Sequence, residues 1–227
     1  MLTPQDWTQW AQAPYAITSG GEPGLKQMPA MLRRRAGFLG KMALEVAYQC
    51  MDGRADVPTV FCSRHGEAGR AFDLLTDLAQ GDALSPTAFG MAVHNASAGL
   101  FSIARADRAN HIALAAGAAS VEHAVIDACG LLADGAPMVL LVVCDCPVPE
   151  LFSHFEDCDE QPHAWAWLMV PAGDDALSLR WSACADGADA GAKALPGGLD
   201  VLRFQLSGER AMERVAERRR WVWGRDA

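Results

Sequence analysis

The sequence contains no apolar run long enough to span a bilayer. Its opening residues, MLTPQDWTQWAQAP, have neither a basic start nor an apolar stretch. No signal peptide is therefore expected, and the expected location is the cytoplasm. Positive charge is in short supply. Lys and Arg number 19 against 28 Asp and Glu, a formal charge of −9, which argues against non-specific binding to nucleic acid or anionic membranes. Paired CxxC motifs are missing. The seven cysteines, Cys50, Cys62, Cys129, Cys144, Cys146, Cys158 and Cys184, are odd in number and lie mostly in apolar stretches, which fits buried thiols in a reducing compartment. Cys144 and Cys146 form a lone CxC whose nearest later candidates are His154 and Cys158, an incomplete zinc pattern, so no metal and no cofactor is expected. No internal repeat is visible.

What is present can bury a full core: 227 residues, 51% hydrophobic, expected to form one domain over 1–227. The pattern predicts a helix over Pro4–Gln12, a strand-like Tyr15–Thr18 and a Gly/Pro loop over Ser19–Pro29. One helix is expected over 31–51. Arg33, Arg34 and Arg35 at its start oppose the helix dipole, unless an acidic partner docks there. Thr59–Ser63 reads as a buried strand, with Arg64-His65-Gly66-Glu67 at its C-terminal end, where ligand-facing residues of α/β sheets usually sit. Helices are expected over 68–80, closed by Gly81, and over 87–104, opened by Ser85-Pro86. Pro137–Asp145 is the strongest strand signal. His163–Val170 and Leu177–Ala183 read as a hairpin. Asp186–Gly198 reads as a loop, Val201–Leu206 as an edge strand and Glu209–Trp223 as a closing helix. Strands separated by helices indicate an α/β domain, layered around a mixed β-sheet with helices on both faces.

The chain is organised around His111–Gly130, HIALAAGAASVEHAVIDACG. A short strand, His111–Ala115, turns through small residues into a helix beginning at Ser120, which is expected to be its N-cap. A strand turning sharply into a helix is the shape of a nucleophile elbow, whose tip lies where the helix N-terminus favours a thiolate or an oxyanion. Here the tip carries no thiol, hydroxyl or carboxylate. An ordinary tightly packed strand-to-helix turn is the plainer reading of the same residues.

Three segments together resemble the N-terminal half of β-ketoacyl synthases, the condensing enzymes of the thiolase fold. They are MLRRRAGFLGKMALEVA (31–47), SPTAFGMAVHNASAGLFSI (85–103), and the elbow with its helix and the strand Met138–Asp145. The likeness runs from about residue 30 to 152 and more loosely to 185, the expected core; 186–227 is left as loop, strand and helix. Aligned with the family's T-A-C-S-S-G pattern, Ala115 to Ser120 puts Gly117 where the acyl-accepting Cys stands, and the half that supplies the catalytic His and Asn residues has no counterpart here. The resemblance therefore implies a non-catalytic subunit similar to a chain-length factor. It would be a truncated form like those of aryl polyene and type II polyketide clusters, pairing as a heterodimer with a full-length ketosynthase.

On that reading Phe89, Met91, His94, Asn95, Phe101, Ala116, Gly117 and Ala118 are candidates for the shared acyl channel and interface. Arg33, Arg34 and Arg35 are candidates for meeting an acidic acyl carrier protein. Two other readings stand beside it: a stand-alone acyl-transfer enzyme with an unrecognised nucleophile, and a carrier-protein binding module. Cys129, inside the elbow helix, is expected to be buried and inert.

Overall fold

Four short strands make the central layer: β1 (Thr59–Cys62), β2 (His111–Leu114), β3 (Val139–Asp145) and β4 (His163–Met169), in the order β2-β1-β3-β4. In this computed structural model, which describes residues 3–18, 21–184 and 194–225, β1 runs parallel to both β2 and β3, and β4 closes the sheet antiparallel to β3. The two central strands are buried along their whole length because both sheet faces are covered. Alternate residues divide between the faces. Phe61, Leu140, Val142 and Cys144 pack toward α3 (Phe38–Met51) and α6 (Ala96–Arg105). Val60, Cys62, Val139, Leu141 and Val143 pack toward α7 (Ser120–Ala133), α8 (Gly197–Ser207) and Trp10 of α1 (Pro4–Gln12). The layered α/β fold expected from the pattern is therefore present, with a mixed sheet and helices on both faces.

A second sheet was not foreseen. β5 (Leu177–Ala183), β6 (Ala211–Ala216) and β7 (Arg219–Arg225) form an antiparallel layer in the order β5-β7-β6. The expected hairpin of His163–Val170 with Leu177–Ala183 does not exist: β4 pairs with β3, and β5 leaves for the second sheet. The expected edge strand Val201–Leu206 is instead part of α8, entered from Pro196 and burying Leu199, Val201, Leu202 and Phe204. The expected closing helix over Glu209–Trp223 is the β6–β7 hairpin. Its charged residues favour a helix, but Met212 and Ala216 on one strand and Trp221 and Trp223 on the other recur at the period of a strand and are buried. The expected loop over Asp186–Gly198 lies largely outside the described residues, and its last two residues open α8.

Two long helices are each broken. The span 31–51 divides into α2 (Ala30–Arg33) and α3, because Gly37 supplies an extended N-cap. The span 87–104 divides into α5 (Pro86–Gly90) and α6, separated by Met91–Asn95. Ser85 caps α5 by accepting the Ala88 amide. The helix between them, α4 (Ala68–Gln80), ends at Gly81 in the left-handed conformation as expected. Tyr15–Thr18 is not a strand. Side chains hold it instead: Trp10 Nε1 donates to the Tyr15 carbonyl at 2.9 Å, and the Ile17 amide donates to Gln161 Oε1 at 2.7 Å. Among the described residues no helix is long and apolar enough to cross a membrane.

Candidate active site and its relatives

The turn between β2 and α7 is an elbow. Gly117 adopts φ +56, the left-handed region that glycine enters without strain, and sits just ahead of the first turn of α7. Ser120 is not the N-cap as expected; Ala119 holds that position and Ser120 is the first helical residue. The Ser120 hydroxyl pins the turn. It donates to the Gly117 carbonyl at 2.7 Å and accepts the Ala116 amide at 2.9 Å. A hydroxyl committed on both sides is not positioned as a nucleophile.

The second sheet reaches this turn from outside. Glu217, at the tip of the β6–β7 hairpin, accepts the Ala118 amide at 3.1 Å. Arg214 of β6 donates to the Ala118 carbonyl at 3.3 Å and forms a close ion pair with Glu122 in the first turn of α7. Glu122 is fully buried; its Oε1 also accepts Trp223 Nε1 at 3.3 Å, and Asp200 of α8 lies 3.4 Å from Arg214 Nε. Burial raises the Asp200 carboxyl, partly offset by Arg214. Glu122, Asp200 and Glu217 were not selected from the sequence, and nothing in the sequence places Arg214 at the elbow. The usable signal was the alternation Trp221-x-Trp223, which marks β7 and so places its partner strand.

A second polar cluster lies at the C-terminal ends of β1 and β3. Asp145 accepts the Ser63 hydroxyl at 2.8 Å and the Arg64 amide at 2.9 Å, and the Gly66 amide donates to Ser63 Oγ. His65 Nε2 is 2.7 Å from Glu160 Oε1, and Arg64 donates to Asp157 and to Cys158 Sγ. Burial pushes the Cys158 thiol up to about 11 against the opposing pull of Arg64, and raises Cys62 and Cys144 well above the ordinary thiol range. These are poor nucleophiles at neutral pH. Cys129 is exposed rather than buried, because it lies on the outer face of α7, and partial desolvation still raises its thiol. Among the described residues, no group of three or more His, Cys, Asp or Glu is placed to hold a metal.

The hydrogen bond to Glu160 raises the His65 imidazole despite partial burial. A raised histidine contributes stability that is complete below its unfolded pKa, near 6.5, and fades as pH climbs through the higher folded value. His163 runs the other way: burial lowers its imidazole, so it costs stability as pH falls below about 6.5. Comparing wild type with His65→Gln removes the shared His163 contribution. Thermal melts are expected to show the wild type ahead by about 2 °C at pH 5.5–6 and the gap closing as pH rises through the folded value. A gap independent of pH means that the pair contributes through packing alone.

His94 meets this cluster from the VHNASAG segment. Its Nε2 is 2.8 Å from the Ser63 carbonyl, and its ring lies against Gly66, where an added Cβ sits 2.8 Å from His94 Cδ2. Gly66 also has φ +55. Gly66→Ala is therefore expected to cost about 1–3 kcal/mol from strain and the displaced ring, read as a lowered urea midpoint at unchanged m-value. Asn95, inside the single helix expected over 87–104, is instead the N-cap position of α6; it is exposed and makes no side-chain cap bond. With His111, Ala113 and Ala115, His94 and Asn95 line an open groove of about 480 Å³ beside the edge strand β2. Phe89 is exposed on α5 and Met91 is half-buried, whereas Phe101 is core, 5.2 Å from Tyr48 and 5.9 Å from Phe61 between ring centroids. The three arginines sit at the end of α2 rather than at the start of a long helix, so they do not oppose a dipole. Arg34 and Arg35 are exposed, while Arg33 is half-buried and donates to the Leu25 carbonyl.

The fold, the elbow and the Asn-led helix converge with the sequence on one assignment. The model of the beta-ketoacyl synthase N-terminal domain matches residues 7–224. The chain belongs to the beta-ketoacyl synthase N-terminal domain family. Among solved structures, it is similar at 26% identity and a TM-score of 0.86 to a chain of the ketosynthase (ApeO) in complex with its chain length factor (ApeC) from Xenorhabdus doucetiae, covering 99% of this chain and 94% of that one. A beta-ketoacyl synthase from Burkholderia phymatum shares the fold over 65% of this chain and 40% of its own, at 15% identity and a TM-score of 0.50. No curated protein matches the sequence. The elbow of this ketosynthase-like chain carries a glycine at its tip.

Proposed function

We propose that this chain is a non-catalytic, chain-length-factor-like subunit that pairs with an active full-length ketosynthase and shapes a shared acyl channel, in a pathway of the polyketide or aryl polyene kind. The observation that carries the reading is the elbow. It presents Gly117 in the left-handed conformation, with the neighbouring Ser120 hydroxyl tied back into the turn. A structural neighbour supports it as well. The Xenorhabdus chain, from a complex of a ketosynthase with its chain length factor, is matched almost end to end.

Among the described residues strand β2 is an unpaired edge of its sheet, and Ala113 and Ala115 keep the groove beside it shallow enough for a partner backbone to approach. Phe89 and Met91, on the segment leading into that groove, are the channel candidates. An acyl chain gains about 0.8 kcal/mol per buried CH₂, so one aromatic that blocks the path can set product length. Co-expression with the full-length ketosynthase is expected to give a stable heterodimer by size-exclusion chromatography, and acyl carrier protein thioesters are expected to leave this subunit unmodified by mass spectrometry. A chain that stays monomeric, or that carries an acyl adduct, overturns the reading.

Arg34 and Arg35 are the proposed contact with an acidic carrier protein. Their joint replacement by Glu is expected to weaken carrier binding about tenfold at low salt and less at high salt, because the attraction is electrostatic and screened. Unchanged affinity removes this surface from the proposal.

A further inference from the structure

The β6–β7 turn is built in an unfavourable way. Its two residues, Glu217 and Arg218, have φ +51 and +58, the pattern of a type I′ turn, which ordinarily uses Asn-Gly or Gly-Gly. Each side-chain-bearing residue held there costs about 1–2 kcal/mol. One contact made by this turn stands out: the Glu217 carboxylate lies over the elbow and accepts the Ala118 amide. Its Oε1 occupies the space that a Cβ at position 117 would need. Arg214, from the same hairpin, holds the Ala118 carbonyl, so both backbone groups of Ala118 are clamped by one element. In a nucleophile elbow, the amide of the residue after the nucleophile is a donor to the oxyanion. Here that residue is Ala118, and its donor is already taken.

We propose that Glu217 is the resident occupant of the elbow: its carboxylate fills the seat that an acyl thioester's carbonyl oxygen would take, and closes the turn to acyl groups independently of the missing thiol. The hairpin thus silences the site a second time, and Gly117 is required as much by the carboxylate above it as by the turn itself. The inference rests on the non-catalytic reading of the chain. Its tests use the chain alone, so their failure leaves pairing with a ketosynthase untouched, and a failure to pair leaves them readable.

Two measurements decide it. Hydrogen exchange at the Ala118 amide is expected to be at least about tenfold faster in Glu217→Ala than in wild type. Glu217→Gln, which retains an acceptor oxygen, is expected to keep most of the protection. Separately, Gly117→Cys is made with and without Glu217→Ala and exposed to acetyl-N-acetylcysteamine. In the acylation, the introduced thiolate attacks the thioester carbonyl and the N-acetylcysteamine thiolate leaves, taking up a proton. Mass spectrometry of the peptide spanning position 117 is expected to show acylation at least about tenfold faster once the neighbouring carboxylate is gone, since a like charge raises a thiol pKa. Equal Ala118 exchange in wild type and Glu217→Ala, or equal acylation rates of the introduced thiol in the two backgrounds, overturns the proposal. If Gly117→Cys does not fold, the amide exchange decides alone.

Discussion

Arg214→Ala is expected to lower the free energy of unfolding by about 3–5 kcal/mol, the cost of leaving a buried charge without its partner. Glu122 is fully buried in the first turn of α7, and its Oε2 has no partner among the described residues, so Arg214 and the Trp223 indole carry its compensation. The loss corresponds to a fall in Tm of roughly 6–20 °C for a chain of this size. Arg214→Met combined with Glu122→Gln is expected to recover most of it, because a matched pair of neutral groups removes the desolvation cost together with the attraction. A Tm within about 1 °C of wild type for Arg214→Ala, on the same scale, shows that water already supplies the compensation. Because Arg214 also holds the Ala118 carbonyl, the variant is expected to loosen the elbow itself, visible as faster amide exchange through 116–120.

The second large effect concerns assembly. Ala113 lies in the middle of the edge strand β2 and lines the groove with His94, Asn95 and His111. Ala113→Arg puts a long charged side chain where the proposed partner backbone approaches. It is expected to weaken association with the ketosynthase by about 100-fold or more, since a clash and an unpaired charge at a close contact cost several kcal/mol. Ala113→Ser, nearly the same size, is expected to be neutral. Co-purification followed by analytical ultracentrifugation separates the two cases. Undiminished pairing by Ala113→Arg moves the interface away from β2, whereas a loss of pairing accompanied by a falling Tm indicates damage to the fold instead. Together with the Arg214 series, the variants separate what holds the subunit folded from what lets it dock.

Much of the central layer was legible because its signals are local and strong. The run VLLVVCD can only be a strand covered on both faces, and Gly81, Ser85 and Pro86 punctuate their helices by fixed stereochemistry. The strand-to-helix turn was legible because its small residues lie between an apolar strand and an apolar helix. The C-terminal third was misread for a physical reason. In 209–223 the local preference of Glu, Arg and Met for helix competes with an alternation of buried residues whose value depends on α7 and α8 being there to cover it. Glu217 and Arg218 hid the turn, because neither residue is a turn former and the conformation is sustained by tertiary contacts. The same blindness concealed the residues around the elbow. Glu122 and Arg214 are 92 residues apart in sequence, and only the second sheet brings Arg214 and Glu217 to the elbow.

That separation has a consequence during synthesis. Ala118 and the carboxylate above it are 99 residues apart, so a ribosome adding about 5–20 residues per second needs roughly 5–20 s to deliver the hairpin after the turn has been made. Throughout that interval the nascent chain shows an open helix N-terminus and one uncovered side of α7. A chaperone or the partner ketosynthase reaching it then would meet a surface that the finished subunit no longer offers.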